Sequence, residues 1–191
     1  LNRKKEELTS GFKTKSIVLA GTLVFCLVIS FLAIAHLPFI DFRAYKEGTH
    51  IPTEMLPPAN DPNEVPKITN FAMWSDTADE TQNILTGRKL LVVIHEAAKT
   101  DADSYLDLNS LISALGNQVE AIAVTASSGD QFEELRHSVQ LAVPYVYSDA
   151  TLLKTMVRSN PGLVLVENGT ILKKWHYNDI PSASDLMSSF R

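Results

Sequence analysis

The sequence predicts an α/β domain, a three-layer sandwich built on a mixed sheet, preceded by one transmembrane α-helix. Three observations carry this reading. From Ile17 to Ala35 no side chain is ionisable except the thiol of Cys26. Leu90 to Ile94 and Val119 to Thr125 are largely apolar runs with a helical pattern between them, the mark of strands covered on both faces. Near the carboxyl end, Asn168-Gly169 separates two apolar runs, and Asn-Gly there is the strongest short hairpin signal.

The apolar run spans roughly 28 Å at about 1.5 Å per helical residue, close to the hydrocarbon thickness of a bilayer. A transmembrane helix is therefore expected over residues 16–37. A cleaved signal peptide is the rival reading, but its apolar core would be shorter, and here apolar character continues past Ala33-Ile34-Ala35 into Leu37-Pro38-Phe39-Ile40. Residues 1–15 carry Arg3, Lys4, Lys5, Lys13 and Lys15 against Glu6 and Glu7, while the whole chain has a net charge of −5. This asymmetry makes 1–15 a cytoplasmic basic flank and puts the bulk of the chain on the periplasmic side of a bacterial inner membrane. An opening at Leu1 is what a cut between two transmembrane helices would look like, so further upstream spans are a reading to keep. An acidic soluble part without a clustered basic face argues against nucleic acid as a partner. One cysteine excludes a disulfide scaffold, and Cys26, inside the span, reads as a small packing residue.

Six of the nine prolines lie between residues 38 and 66, which reads as a semi-rigid juxtamembrane linker. Within it Asp41, Phe42, Arg43, Tyr45 and Lys46 suggest an interfacial anchor, with Phe42 and Tyr45 in the interface and Arg43 and Lys46 on phosphates. A polar binding site at the membrane surface is the other reading. The domain then occupies 67–191. Ile68 to Trp74 is expected as a strand and Glu80 to Leu85 as a short helix. Leu90 to Ile94 is a strand, and Leu106, Leu108, Leu111, Ile112 and Leu115 mark a helix closed by Gly116-Asn117. Val119 to Thr125 is a strand, followed by a helix running to about Leu141. Val143 to Tyr147 is a short strand, and Ala150 to Val157 an amphipathic helix. Leu163 to Val166 and Thr170 to Tyr177 form the hairpin, with Trp175 and Tyr177 on one face and His176 on the other. Ser182 to Phe190 closes the chain as a helix. Buried strands joined by helices imply a parallel core to which the hairpin adds antiparallel strands.

That order, with Pro161 just ahead of the hairpin, resembles the thioredoxin fold, and within it the membrane-tethered periplasmic TlpA-like group. The resemblance implies a cis peptide at Asn160-Pro161 beside the former active site. A narrower resemblance is to the carboxyl-terminal region of DoxX/MauE-type bacterial membrane proteins. It is carried by residues 37–46, by Arg158-Ser159-Asn160-Pro161-Gly162-Leu163-Val164-Leu165, and by Lys174-Trp175-His176-Tyr177-Asn178-Asp179-Ile180-Pro181. Redox members of the fold place C-x-x-C where the first central strand meets its helix, so that the helix dipole lowers the leading thiol's pKa. Those positions here are Thr100 and Asp103. Neither exchanges a disulfide, so this chain alone does not cycle a dithiol.

Thr100 is expected to cap the following helix with Asp103 on its first-turn amides. The functional reading is that His95, Glu96, Thr100, Asp101, Asp103, Asn160 and Pro161 line a groove that holds a partner's segment. No catalytic residue, metal or cofactor is assigned, since neither a nucleophile elbow nor clustered metal-ligand spacing is present. The function expected is a non-catalytic binding or assembly module of a cell-envelope complex. Its partners would be the lipid bilayer and other envelope or membrane proteins. The alternative is a redox-associated subunit of a DoxX/MauE-like system whose cysteines lie upstream or on a partner.

Overall fold

The computed structural model describes residues 2–59 and 61–190, the side chains of 2–14 excepted. The chain divides into two units, Leu1–His36 and Leu37–Arg191. In the first, α1 runs from Asn2 to Ala35. Within it Lys15–Ala35, 21 residues with a mean hydropathy of 2.8 and none of its window buried, is long and apolar enough to cross a membrane. The basic flank read over 1–15 lies, Lys15 aside, outside the described side chains.

The second unit contains α2 (Ile51–Glu54), α3 (Thr81–Ile84), β1 (Arg88–Ile94), α4 (Tyr105–Leu115), β2 (Glu120–Thr125) and α5 (Gly129–Ser138). It continues with β3 (Tyr145–Tyr147), α6 (Ala150–Met156), β4 (Gly162–Glu167), β5 (Thr170–His176) and α7 (Ala183–Met187). One five-stranded sheet runs β3-β2-β1-β4-β5. β1, β2 and β3 are parallel, while β4 lies antiparallel to β1 and β5 antiparallel to β4. This is the mixed α/β, thioredoxin-like arrangement that the residue pattern predicts, and the Asn160-Pro161 peptide is cis.

Side-chain alternation divides the core into two layers. From β1, Leu91 and Val93 join Ile122, Val124, Leu153, Met156 and Val164 on the α6 side. Leu90, Val92 and Ile94 join Tyr105, Leu108, Leu111, Phe132 and Leu186 under α4, α5 and α7. Both faces of β1 are therefore dry, which is why its run is continuously apolar. Trp175 packs into this second layer with Met187 and Phe190, and His176 on the opposite face is only 3% exposed. Tyr177, expected on the Trp175 face, instead leaves the strand in a 3-10 turn and lies against the His176 ring, with centroids 4.2 Å apart. The hairpin turn places Asn168 at φ 47° and Gly169 at φ 77°, the primed geometry of a two-residue loop.

Three segments differ from the residue pattern's expectation. Ile68 to Trp74 is not a strand: Ile68, Phe71 and Met73 are buried, but pairing is confined to isolated bridges from Trp74 to Asp79 and Tyr147. The helix expected directly after Thr100 starts only at Tyr105: a 3-10 turn over Ala97–Lys99 follows β1, and Asp101 N–H is then held by the Asn160 carbonyl. Residues 38–66 are no free spacer throughout. Tyr45 and Ile51 sit in the core at 5% and 1% exposure, and His50 bridges Thr170. Gly48 N–H donates to the Ile171 carbonyl (2.8 Å), Ile171 N–H to Thr49 (2.9 Å) and Ile51 N–H to Gly169 (2.8 Å). These bonds cover the outer edge of β5, which would otherwise present unpaired backbone groups. The proline count concealed this, since Pro52 sits harmlessly in the first turn of α2.

Candidate functional site

β1 ends at Ile94, so His95 and Glu96 leave the carboxyl end of a central strand, where open α/β sheets gather ligands. The chain is then stitched to the cis-proline loop from both sides. Asn160 Nδ2 donates to the Glu96 carbonyl (2.7 Å), and Asp101 N–H donates to the Asn160 carbonyl (2.9 Å). Ala97 N–H donates to Ser127 Oγ (2.8 Å), tying the same turn to the end of β2. Ser159 Oγ donates to the Pro161 carbonyl (2.6 Å) and accepts from Tyr177 N–H (3.0 Å), which holds the far wall.

The result is a cleft of about 400 Å³ bounded by His95, Thr100, Asp101, Asn160, Arg158 and His176, with Lys99, Ser159 and Tyr177 completing its lining. Four of the seven expected groove residues therefore line it. Pro161 is buried against it, whereas the Glu96 side chain turns to Lys99 (2.8 Å) and Asp103 is exposed outside the lining. Thr100 does not cap α4. Its hydroxyl meets the Tyr105 hydroxyl at 3.0 Å, and Asp101 Oδ1 instead accepts from Ser104 N–H (3.0 Å). Burial pushes the Tyr105 phenol above its ordinary pKa, although the Thr100 bond opposes this.

Two atoms in this cleft set it apart. His95 Nδ1 and Asn160 Oδ1 are both buried and have no hydrogen-bond partner among the described residues. Burial holds the His95 imidazole below the ordinary histidine range, nearby Lys154 pushes the same way, and Glu96 opposes both. The ring is thus neutral near pH 7, with one donor and one acceptor nitrogen. Leaving such buried atoms unpaired costs about 1–3 kcal/mol each. Arg158, Ser159, His176 and Tyr177 were not singled out as site residues. Only the fold brings them across from the α6–β4 connection and the end of β5, and alternation along β5 was the one available signal for His176.

Two residues before His176 on β5 lies a second polar cluster. Lys174, with its side chain 3% exposed, pairs with Asp41 and donates to the carbonyls of Tyr45 (2.8 Å) and Met156 (3.1 Å). Arg43 Nε and Nη2 reach the same Asp41 carboxylate at 2.8 and 3.0 Å, leaving Arg43 Nη1 buried and without a partner among the described residues. Burial alone would raise the Asp41 pKa, but the bonds from Arg43 and Lys174 hold it well below the usual carboxylate range. Tyr45, expected at an interface, is buried beside Phe71, and desolvation pushes its phenol up to about 12. Arg43 is engaged by Asp41, and of the expected anchor only Phe42 and Lys46 are exposed.

No protein-family model matches the chain, and no curated protein matches it. Among solved structures, it is similar to a thiol-disulfide oxidoreductase from Bacteroides fragilis (12% identity, 55% of this chain and 86% of that one, TM-score 0.44). It is also similar to reduced Prx3 from Vibrio vulnificus (9% identity, 65% and 96%, TM-score 0.46). A thioredoxin-like protein from Bacteroides caccae matches at 15% identity over 62% and 47% of the two chains, with a TM-score of 0.44. At these identities and scores the matches carry no argument about activity. Strand order, register and the cis-proline loop define a thioredoxin-like domain, and the only cysteine of the chain, Cys26, lies outside it in α1.

Proposed function

We propose that the chain is a membrane-anchored, periplasmic binding module that holds an extended segment of another envelope protein in the cleft beside Asn160-Pro161. It performs no thiol chemistry of its own. The observation that carries this reading is that two residues lining the cleft, His95 and Asn160, each hold a buried polar atom, Nδ1 and Oδ1, without a hydrogen-bond partner among the described residues. An incoming main chain offers an N–H and a carbonyl in every residue, and a segment crossing the cleft satisfies both atoms at once. Thr100 and Asp103 in place of paired cysteines, with Cys26 in α1, support binding without electron transfer. The exposed apolar stretch Lys15–Ala35 supports anchoring, and the basic flank ahead of it supports the periplasmic side.

The test is photocrosslinking in native membranes from benzoylphenylalanine at Thr100, with exposed Gln131 on α5 as the surface control. Capture at Thr100 of one membrane or envelope protein through a defined segment, absent at Gln131, is expected. If Thr100 captures only lipid or nothing while Gln131 captures proteins, the cleft is not the contact surface. A captured segment with paired cysteines would instead favour the redox-associated subunit of a DoxX/MauE-like system.

A further inference from the structure

The first residues of the second unit present an apolar surface that nothing in the unit covers. Phe39, Ile40 and Phe42 are 98%, 68% and 91% exposed, an unusual density of large apolar side chains within four residues. Their neighbours in the same loop point the other way. Asp41 and Arg43 are only 15% and 17% exposed at the side chain, joined by the two guanidinium bonds and by Arg43 N–H to Asp41 Oδ1 (3.0 Å). Lys174 secures Asp41 from β5. The loop is thus fastened through its charged residues, and that fastening turns its apolar ones outward. A flexible loop would fold such side chains away from water, whereas this one is built to hold them out.

We propose that Phe39, Ile40 and Phe42 form a rigid wedge seated in the bilayer interface, locked in that attitude by the Asp41–Arg43–Lys174 network. The occupant is lipid because of where the chain comes from. Only three residues separate Ala35, the end of α1, from Phe39, so the wedge is within about 14 Å of the helix end along the backbone. Aromatic side chains at that depth are at home among headgroups, and exposed Lys46 follows at the loop's end for their phosphates. The proposal rests on the reading of Lys15–Ala35 as a membrane span and is independent of the cleft.

Spin-label accessibility on the full chain in phosphatidylethanolamine–phosphatidylglycerol vesicles tests it. In a Cys26→Ala background, nitroxides are placed through Phe39→Cys and Phe42→Cys, through Leu19→Cys in α1, and through Leu106→Cys on the exposed face of α4. All four sites are exposed, so the fold tolerates the labels, and an unchanged thermal transition verifies it. Labels at 19, 39 and 42 are expected to shift their collision preference from the water-soluble nickel chelate to oxygen, with the label at 106 keeping the chelate. Nickel preference at 39 and 42 with oxygen preference at 19 overturns the wedge and leaves the span standing. Nickel preference at 19 as well overturns both. Protection of 39 and 42 from both reagents means that protein covers them, which also overturns the proposal.

Discussion

Lys174 is the residue whose surroundings say most about how this domain is held together. Its ammonium is buried, and burial pushes its pKa down while Asp41 pulls it back up. Removing one partner of such a pair strands the other charge, so Asp41→Ala is expected to cost about 3–5 kcal/mol in chemical denaturation. The triple change Asp41→Leu, Arg43→Met and Lys174→Met should recover most of that loss, because no charge of the network is then left desolvated. The pH dependence follows from the direction of the Asp41 shift. A carboxyl depressed in the folded state stabilises above its unfolded pKa of about 4, and that contribution is lost as pH falls through the lower folded value. Acid unfolding of the wild type should therefore steepen below about pH 4 relative to Asp41→Asn. The pairing was not visible in the sequence, where Asp41 and Lys174 are 133 positions apart and Asp41 reads as part of an interfacial anchor, not as the partner of a buried lysine.

At the scale of elements, the β1, β2 and hairpin strands were legible because each carries a local signal, either an apolar run closed on both faces or Asn-Gly at a turn. The segment from Tyr45 to Met55 was not, because its signal is two apolar residues among prolines and its pairing partner is β5, far along the chain. A free spacer and an edge-covering segment make opposite predictions for Ile51. Ile51→Ala should lower domain stability by about 2–5 kcal/mol, as deletion of a fully buried branched side chain does. A spacer would show no change in the same denaturation curve. Gly169 couples the two elements: a Cβ there would stand 2.9 Å from Pro52 Cδ at a φ of +77°, so α2 and the hairpin turn close on one another only through glycine. The start of α4 was misplaced for a related reason. The 3-10 turn after β1 is specified by bonds to Ser127 and Asn160, both remote in sequence, and not by any capping residue of its own.

For the molecule as a whole, an apolar helix precedes a domain that has a cleft beside its cis-proline and no cysteine of its own. Half of that cleft could be read beforehand, because the strand end and the X-Pro peptide carry recognisable positions. The other half is contributed by side chains whose approach only tertiary structure determines. The central claim is that His95 and Asn160 await the main chain of a partner. Crosslink yield from position 100 in native membranes, compared between wild type and His95→Phe with matched folding, tests it most directly. Loss of one buried hydrogen bond worth about 1.4 kcal/mol predicts a roughly tenfold fall in capture, with no change for Leu106→Ala on the exposed face of α4. Capture at full wild-type yield in His95→Phe would contradict the account.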